Sequence, residues 1–158
     1  MADYALKQKQ AKEISAMLCA KENELTDAVA HLQRELAEKK TELAEKEQEL
    51  IRCKAEQIPE SEQIVCIFPE GIQGDSLRIL MNAVLEKKRK LCAVFSGNDA
   101  AGYRYVIGSR DVDVRNMAKE LNAAFEGRGG ERPGRVQGTV RGTKEELRNW
   151  ILKKAEEL

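Results

Sequence analysis

The chain has 158 residues, 27 basic and 27 acidic side chains, 34% charged residues and only 4% aromatics. That length allows one domain, or one small domain with an extension, and the composition fits long solvated helices better than a large compact core. No apolar run approaches the ~20 residues of a membrane span, and the N-terminal stretch lacks the apolar core of a signal peptide. Residues 1–57 carry 10 Lys+Arg and 12 Asp+Glu, a net of −2, and residues 58–158 carry 17 and 15, a net of +2. Any polyanion-binding surface must therefore be a local patch. The single histidine, His31, leaves zinc hydrolase sites and histidine-based triads without material. Cys19, Cys53, Cys66 and Cys92 show no C-x-x-C spacing. They read as reduced thiols of a cytosolic protein.

Residues 2–57 contain neither Gly nor Pro and are rich in strong helix formers. Ile14, Met17 and Leu18 close a first apolar stripe, and the polar run Lys21 to Glu24 interrupts it. The segment therefore splits into helices over about 4–19 and 24–57, with Asn23 able to cap the second. That second helix carries Leu25, Val29, Leu32, Leu36, Leu43 and Leu50 at heptad spacing, with lysines at two d positions, Lys39 and Lys46. A narrow seam on a helix of ~50 Å needs a partner helix, either the first helix or a second subunit. Homodimerisation through this arm is the expectation, and the domain boundary is placed at 58/59.

Pro59 ends the helix. Ile64 to Phe68 is a short apolar run, read as a strand buried on both faces. Asp75 can cap a helix with apolar positions Leu77, Leu80, Met81, Val84 and Leu85. Lys87, Lys88, Arg89 and Lys90 follow, where positive charge suits the helix C-terminus and equally suits phosphate. Leu91 to Phe95 and Tyr103 to Ile107 read as strands around the turn at 96–102. Strand–helix–strand implies a parallel crossover, and strand–turn–strand an antiparallel hairpin. A helix over about 113–126 buries Val114, Met117, Ala118, Leu121 and Phe125, and Gly127 is placed to end it. A short strand is expected near Val136 to Val140. Thr143 and Glu146 have capping-box spacing for a last helix burying Leu147, Trp150, Ile151 and Leu158. The fold class is mixed α and β: a long helical arm, then a small mixed sheet with helices.

The stretch from Glu126 to Gly142 reads E-G-R-G-G-E-R-P-G-R-V-Q-G-T-V-R-G, with six glycines and four arginines. It is expected to be a shaped loop. Glycines let the backbone approach a ligand, successive N–H groups can form an anion nest, and arginine forks match phosphate geometry. Gly127, Arg128, Gly129, Gly130, Arg132, Pro133, Arg135, Gln137 and Gly138 are the candidate nucleic-acid contacts, with Lys87, Lys88, Arg89 and Lys90 as a second group.

The string G-R-G-G-E-R-P-G-R-V-Q-G at 127–138 resembles the G-R-G-G-G-R-P-x-x-A-Q-G motif in the C-terminal domain of alanyl-tRNA synthetases. The same module ends long-form alanyl-tRNA editing proteins, and a Gly-His-Pro variant accompanies DHH-type phosphoesterases. The resemblance extends over the whole chain, because these families also place a helical subdomain before a small α/β domain. Glu131 stands where the family has a third Gly, Val136 replaces Ala, and Thr139 replaces Gly.

The resemblance implies a non-catalytic module that binds tRNA, tRNA(Ala) in particular, and dimerises. The parent's editing zinc would sit on H-x-x-x-H and C-x-x-x-H motifs that this sequence lacks, so no cofactor is expected in this chain. A C-terminal piece of a larger protein, or a free-standing relative without catalysis, fits that absence. The alternative is the substrate-binding lobe of a DHH-type phosphoesterase. Arg132 before Pro133 matches the alanyl group, where the phosphoesterases favour His.

Overall fold

The computed structural model describes residues 2–132 and 134–158. It divides into two compact units, residues 1–46 and 47–158.

In the first unit, helix α1 (Ala2–Leu18) leads through a 3-10 turn, Glu22–Glu24, into helix α2 (Leu25–Gln57), whose last turns belong to the second unit. The break comes at Cys19, which has φ +50. The Ala20 N–H donates back to the Ser15 carbonyl at 3.1 Å, and Cys19 N–H to the Ala16 carbonyl at 3.3 Å. This bond pair closes a helix on a left-handed residue. Asn23 is not the expected cap. It lies inside the 3-10 turn, which has no side-chain cap bond. Helix α1 buries no residue. Val29, Leu32, Leu36 and Leu43 of α2 remain 40–68% exposed, so the heptad seam is open.

The second unit is a five-stranded mixed sheet with helices on both faces. Its strands are β1 (Ile64–Ile67), β2 (Leu91–Asn98), β3 (Gly102–Gly108), β4 (Arg128–Arg132) and β5 (Arg135–Val140), in spatial order β1-β2-β3-β5-β4. β1 and β2 are parallel, joined over helix α3 (Asp75–Leu85), and every other pairing is antiparallel. The alternation of β2 explains its continuous apolar run. Leu91, Ala93 and Phe95 face α4 (Arg115–Ala124) and α5 (Lys144–Glu156), while Cys92 and Val94 face α3 and the end of α2. Ile51 and Ala55, the two buried residues of α2, complete the α3 side.

Local signals account for the helix ends. Thr143 accepts from the Glu146 N–H and the Glu146 carboxylate accepts from the Thr143 N–H, a complete capping box on α5. Asp75 is the first residue of α3, and Gly74 is its cap. α4 ends at Ala124 with Phe125 as its C-cap. Glu126, a non-glycine with φ +49, follows, and the Gly127 N–H then bonds the Asn122 carbonyl at 2.8 Å.

The expected shape of the glycine–arginine stretch is also overturned. The arginine–glycine stretch is a β-hairpin, not a loop, with Arg128↔Thr139, Gly130↔Gln137 and Arg132↔Arg135 in register. Gly129 and Gly130 do not have positive φ, so they form no nest. Glycine serves close packing here. A Cβ on Gly129 would lie 2.5 Å from the Gln137 carbonyl oxygen and 2.6 Å from the Tyr105 hydroxyl. That hydroxyl donates to Asn122 Oδ1 at 2.9 Å, tying β3 to α4.

Candidate nucleic-acid interface

Opposed residues in an antiparallel sheet share a face, and alternate residues along a strand share it too. Val106 of β3 packs on the α3 side. Residues in its row and two steps either way therefore share that face. The first row is Arg104, Thr139 and Arg128; the second is Val106, Gln137 and Gly130; the third is Gly108, Arg135 and Arg132. Helix α3 covers the β2 end of this face and leaves β5 and β4 open: all of β4 is exposed, and so are Arg104, Gln137 and Thr139. The result is a groove with a strand floor and the first turn of α3 as its wall. Two adjoining hollows of about 550 and 400 Å³ occupy it, lined also by Gly74, Asp75 and Arg78.

Four arginines, Arg104, Arg128, Arg132 and Arg135, stand on the floor, and Arg78 stands on the wall. None of these five makes an ion pair with a described carboxylate. The acids nearby are Asp75, which lines both hollows, Glu131, which borders the smaller one, and Glu126, which shares an adjoining hollow with Arg104 and Arg128. Arg128 and Arg132 are four residues apart on one strand, about 13 Å. Gly130 lies between them, and a Cβ built there meets nothing within 4 Å. The floor is therefore flat in the middle and cationic at both ends. This arrangement suits a flat moiety flanked by anionic groups.

The hairpin brings Arg128, Gly130, Arg132, Arg135 and Gln137 onto one surface. Gly129 and Gly138 belong to the opposite face, beneath Tyr105, and Gly127 lies in the turn after α4. Pro133 lies outside the described residues. The second cationic group does not join the groove. Lys87, Lys88 and Lys90 follow the far end of α3, about 16 Å along its axis from Asp75. Arg89 is corrected outright. It is 2% exposed. Its guanidinium donates to the carbonyls of Ile58 (2.9 Å), Pro59 (2.7 Å) and Glu62 (2.5 Å). Its charge fastens the chain between α2 and β1, and none of it reaches a ligand.

Arg78 and Arg104 escaped the sequence reading. Arg104 had a visible signal, as the charged residue of Tyr103-Arg104-Tyr105, whose alternation points it away from both tyrosines. Arg78 sits beside Leu77 on α3, on its polar side.

The sequence pattern of the DHHA1 domain matches residues 61–158. The chain belongs to the DHHA1 domain family. No curated protein matches it. Among solved structures it is similar to the exonuclease RecJ bound to manganese, at 16% identity and TM-score 0.54 over 87% of this chain and 34% of that one. RecJ from Thermus thermophilus in complex with Mg2+ gives 19% identity and TM-score 0.53 over 87% of this chain and 21% of that one. The C-Ala domain of Aquifex aeolicus alanyl-tRNA synthetase gives 20% identity and TM-score 0.49 over 61% of this chain and 90% of that one. The RecJ likenesses establish a shared fold, and the chain spans about a third and a fifth of those two proteins.

Within this DHHA1 domain, the Glu131 departure has a location. Glu131 is paired with Val136, a buried residue on the α4 side, and its carboxylate lies 3.9 Å from Lys119 of α4. Alternation thus turns it away from the groove arginines. Burial pushes the Tyr105 hydroxyl above its ordinary pKa; the bond to Asn122 opposes that shift, and Glu131 adds to it. A zinc site does not fit. Among the described residues no three His, Cys, Asp or Glu side chains come together, and His31 lies 3.2 Å from Glu35 on the arm. Among the described residues no helix is long and apolar enough to cross a membrane.

Proposed function

We propose that this DHHA1 chain is a non-catalytic tRNA-binding module of an alanyl-tRNA editing protein or alanyl-tRNA synthetase, and that its arm pairs two copies. The observation that carries the reading is the open groove with five arginines unpaired by described carboxylates. Unpaired guanidinium groups gathered on one face repel each other, and a phosphate backbone removes that repulsion while releasing its counterions. The match of Arg128, Gly129, Gly130, Arg132, Gln137 and Gly138 to the alanyl motif supports tRNA as the partner. Any zinc used in editing would then belong to a separate domain of the parent.

A second reading, the substrate lobe of a DHH-type phosphoesterase, is favoured by family membership itself, which both classes share. Arg132, where those enzymes favour His, weighs against it. Two measurements on the purified chain test the proposal. It should bind tRNA(Ala) transcript with strong salt dependence, and it should leave Ser-tRNA(Ala) intact with or without added zinc. Zinc-dependent deacylation, or no tRNA binding at low salt, contradicts it.

A further inference from the structure

At the other edge of the sheet, Phe68 follows β1 and stacks on Phe95, with ring centroids 5.1 Å apart at 15°. Two cations of α5 lie over the Phe68 ring: Lys144 Nζ at 5.3 Å and Arg148 Cζ at 5.4 Å from its centroid. Both side chains are exposed, and neither forms an ion pair with a described carboxylate. This placement works against the helix. Lys144 is the first residue of α5, where the helix dipole disfavours positive charge, and like charges four residues apart repel. Of the nearby acids, Glu145 lines the same hollow as Lys144 and Arg148 without pairing with either, and two others are engaged elsewhere. The Asp99 carboxylate accepts from the Tyr103 hydroxyl at 2.7 Å and from the Lys144 backbone N–H at 2.9 Å. The Glu146 carboxylate closes the capping box. The aromatic ring is therefore a seat that holds two cations together where local electrostatics would separate them.

We propose that Lys144 and Arg148, seated on Phe68, form a second phosphate-binding site for the nucleic-acid backbone. It rests on the tRNA-binding reading and adds a contact outside the glycine–arginine motif. It is distinct from the groove. β1 and β4 are opposite edges of the sheet, about 19 Å apart at four inter-strand steps. Phe68 packs on the α4 and α5 side, and the groove lies on the α3 side. One phosphate and its neighbour cannot reach both, whereas a folded RNA can. The site thus favours a large structured RNA over a short strand.

The test is a salt titration of tRNA binding by the wild type, by Arg128→Gln/Arg132→Gln and by Lys144→Gln/Arg148→Gln, with a dinucleotide as the short probe. Lys144→Gln/Arg148→Gln should lower the salt slope by about 1.4–1.8, two contacts at 0.7–0.9 each, and weaken tRNA binding about ten- to thirtyfold at 0.15 M salt. It should leave dinucleotide binding unchanged. Phe68→Leu should lose part of the same affinity with both charges present. Unchanged tRNA affinity and slope in Lys144→Gln/Arg148→Gln, with the groove variant impaired, overturns this site alone. A wild type that shows no salt-dependent tRNA binding overturns this proposal and the tRNA-binding reading together.

Discussion

Replacing Arg89 by Met separates the structural reading of its charge from a phosphate-binding one. Three backbone carbonyls, at Ile58, Pro59 and Glu62, lose a charged donor. A hydrogen bond to a charged group contributes about 1.5–3 kcal/mol. The acceptors lie in a stretch whose residues 59–63 are exposed, so water replaces part of each bond. We take roughly 1 kcal/mol per carbonyl after that exchange. The buried Arg89 Nε has no partner among described residues, and removing it returns part of that loss. The net expectation is about 2–3 kcal/mol of destabilisation. At about 4 °C per kcal/mol that is roughly 8–12 °C in Tm. Urea unfolding followed by the fluorescence of Trp150, which packs edge-on to Phe125 at 6.3 Å, reads the change. Arg89→Lys should recover less than half, since an ammonium cannot span three carbonyls as a fork does. In the folded variant the salt slope of tRNA binding should be that of the wild type. Stability within 0.5 kcal/mol of wild type (about the scale of surface substitutions), or a slope reduced by about one, refutes the assignment.

Gly129→Ala should destabilise by about 1–3 kcal/mol, the range for overpacking, because its Cβ meets the Gln137 carbonyl oxygen and the Tyr105 hydroxyl; Gly130→Ala should stay within 0.5 kcal/mol of wild type, and thermal melts compare the pair. Glu131→Gly should change tRNA affinity less than twofold (under roughly 0.4 kcal/mol), since its carboxylate lies beside Lys119 on the other face. Burial, with the bond to Asp99, pushes the Tyr103 hydroxyl up to about 12. Its protonated form is favoured by folding, so this stability is complete below the ordinary tyrosine pKa and is lost as pH rises through about 12. Tyr103→Phe should flatten the alkaline limb of a stability–pH curve. Leu36→Lys/Leu43→Lys should abolish the arm's self-association in sedimentation experiments, and a wild type that is monomeric at tens of micromolar (about the range of weak interfaces) removes that expectation.

Most of the scaffold is legible from periodicity and punctuation. The apolar run at 91–95 announces a buried strand, and Thr143 and Glu146 announce a capped helix, because these signals are local. The run at 64–68 is a strand as expected, but at the sheet edge, where only Val65 is buried rather than both faces. The strand near Val136 to Val140 was legible, but its partner β4 was not, since glycine lowers strand propensity and reads first as a loop. A turn signal was present: the dipeptide Pro133-Gly134 falls between Arg132 and Arg135. Glycine sits at 129 because a distant tyrosine and the neighbouring strand occupy the space of a side chain, which no local pattern encodes. Arg89 misleads for the same reason. A basic run after a helix looks solvated, and only the fold shows that one of its members faces inward to three carbonyls. Arg104 and Arg78 join the groove through strand register and helix docking, both long-range properties.

The central claim is that the arginine face of the β3–β5–β4 surface meets a nucleic-acid backbone. Side-chain guanidinium NMR during titration with tRNA reads that contact residue by residue. The account predicts shifts at Arg78, Arg104, Arg128, Arg132 and Arg135, with Arg89 and Arg115 unmoved. Arg89 is buried against its carbonyls, and Arg115 is held by Asp113. Shifts confined to other arginines, with those five unchanged at saturating tRNA, contradict it.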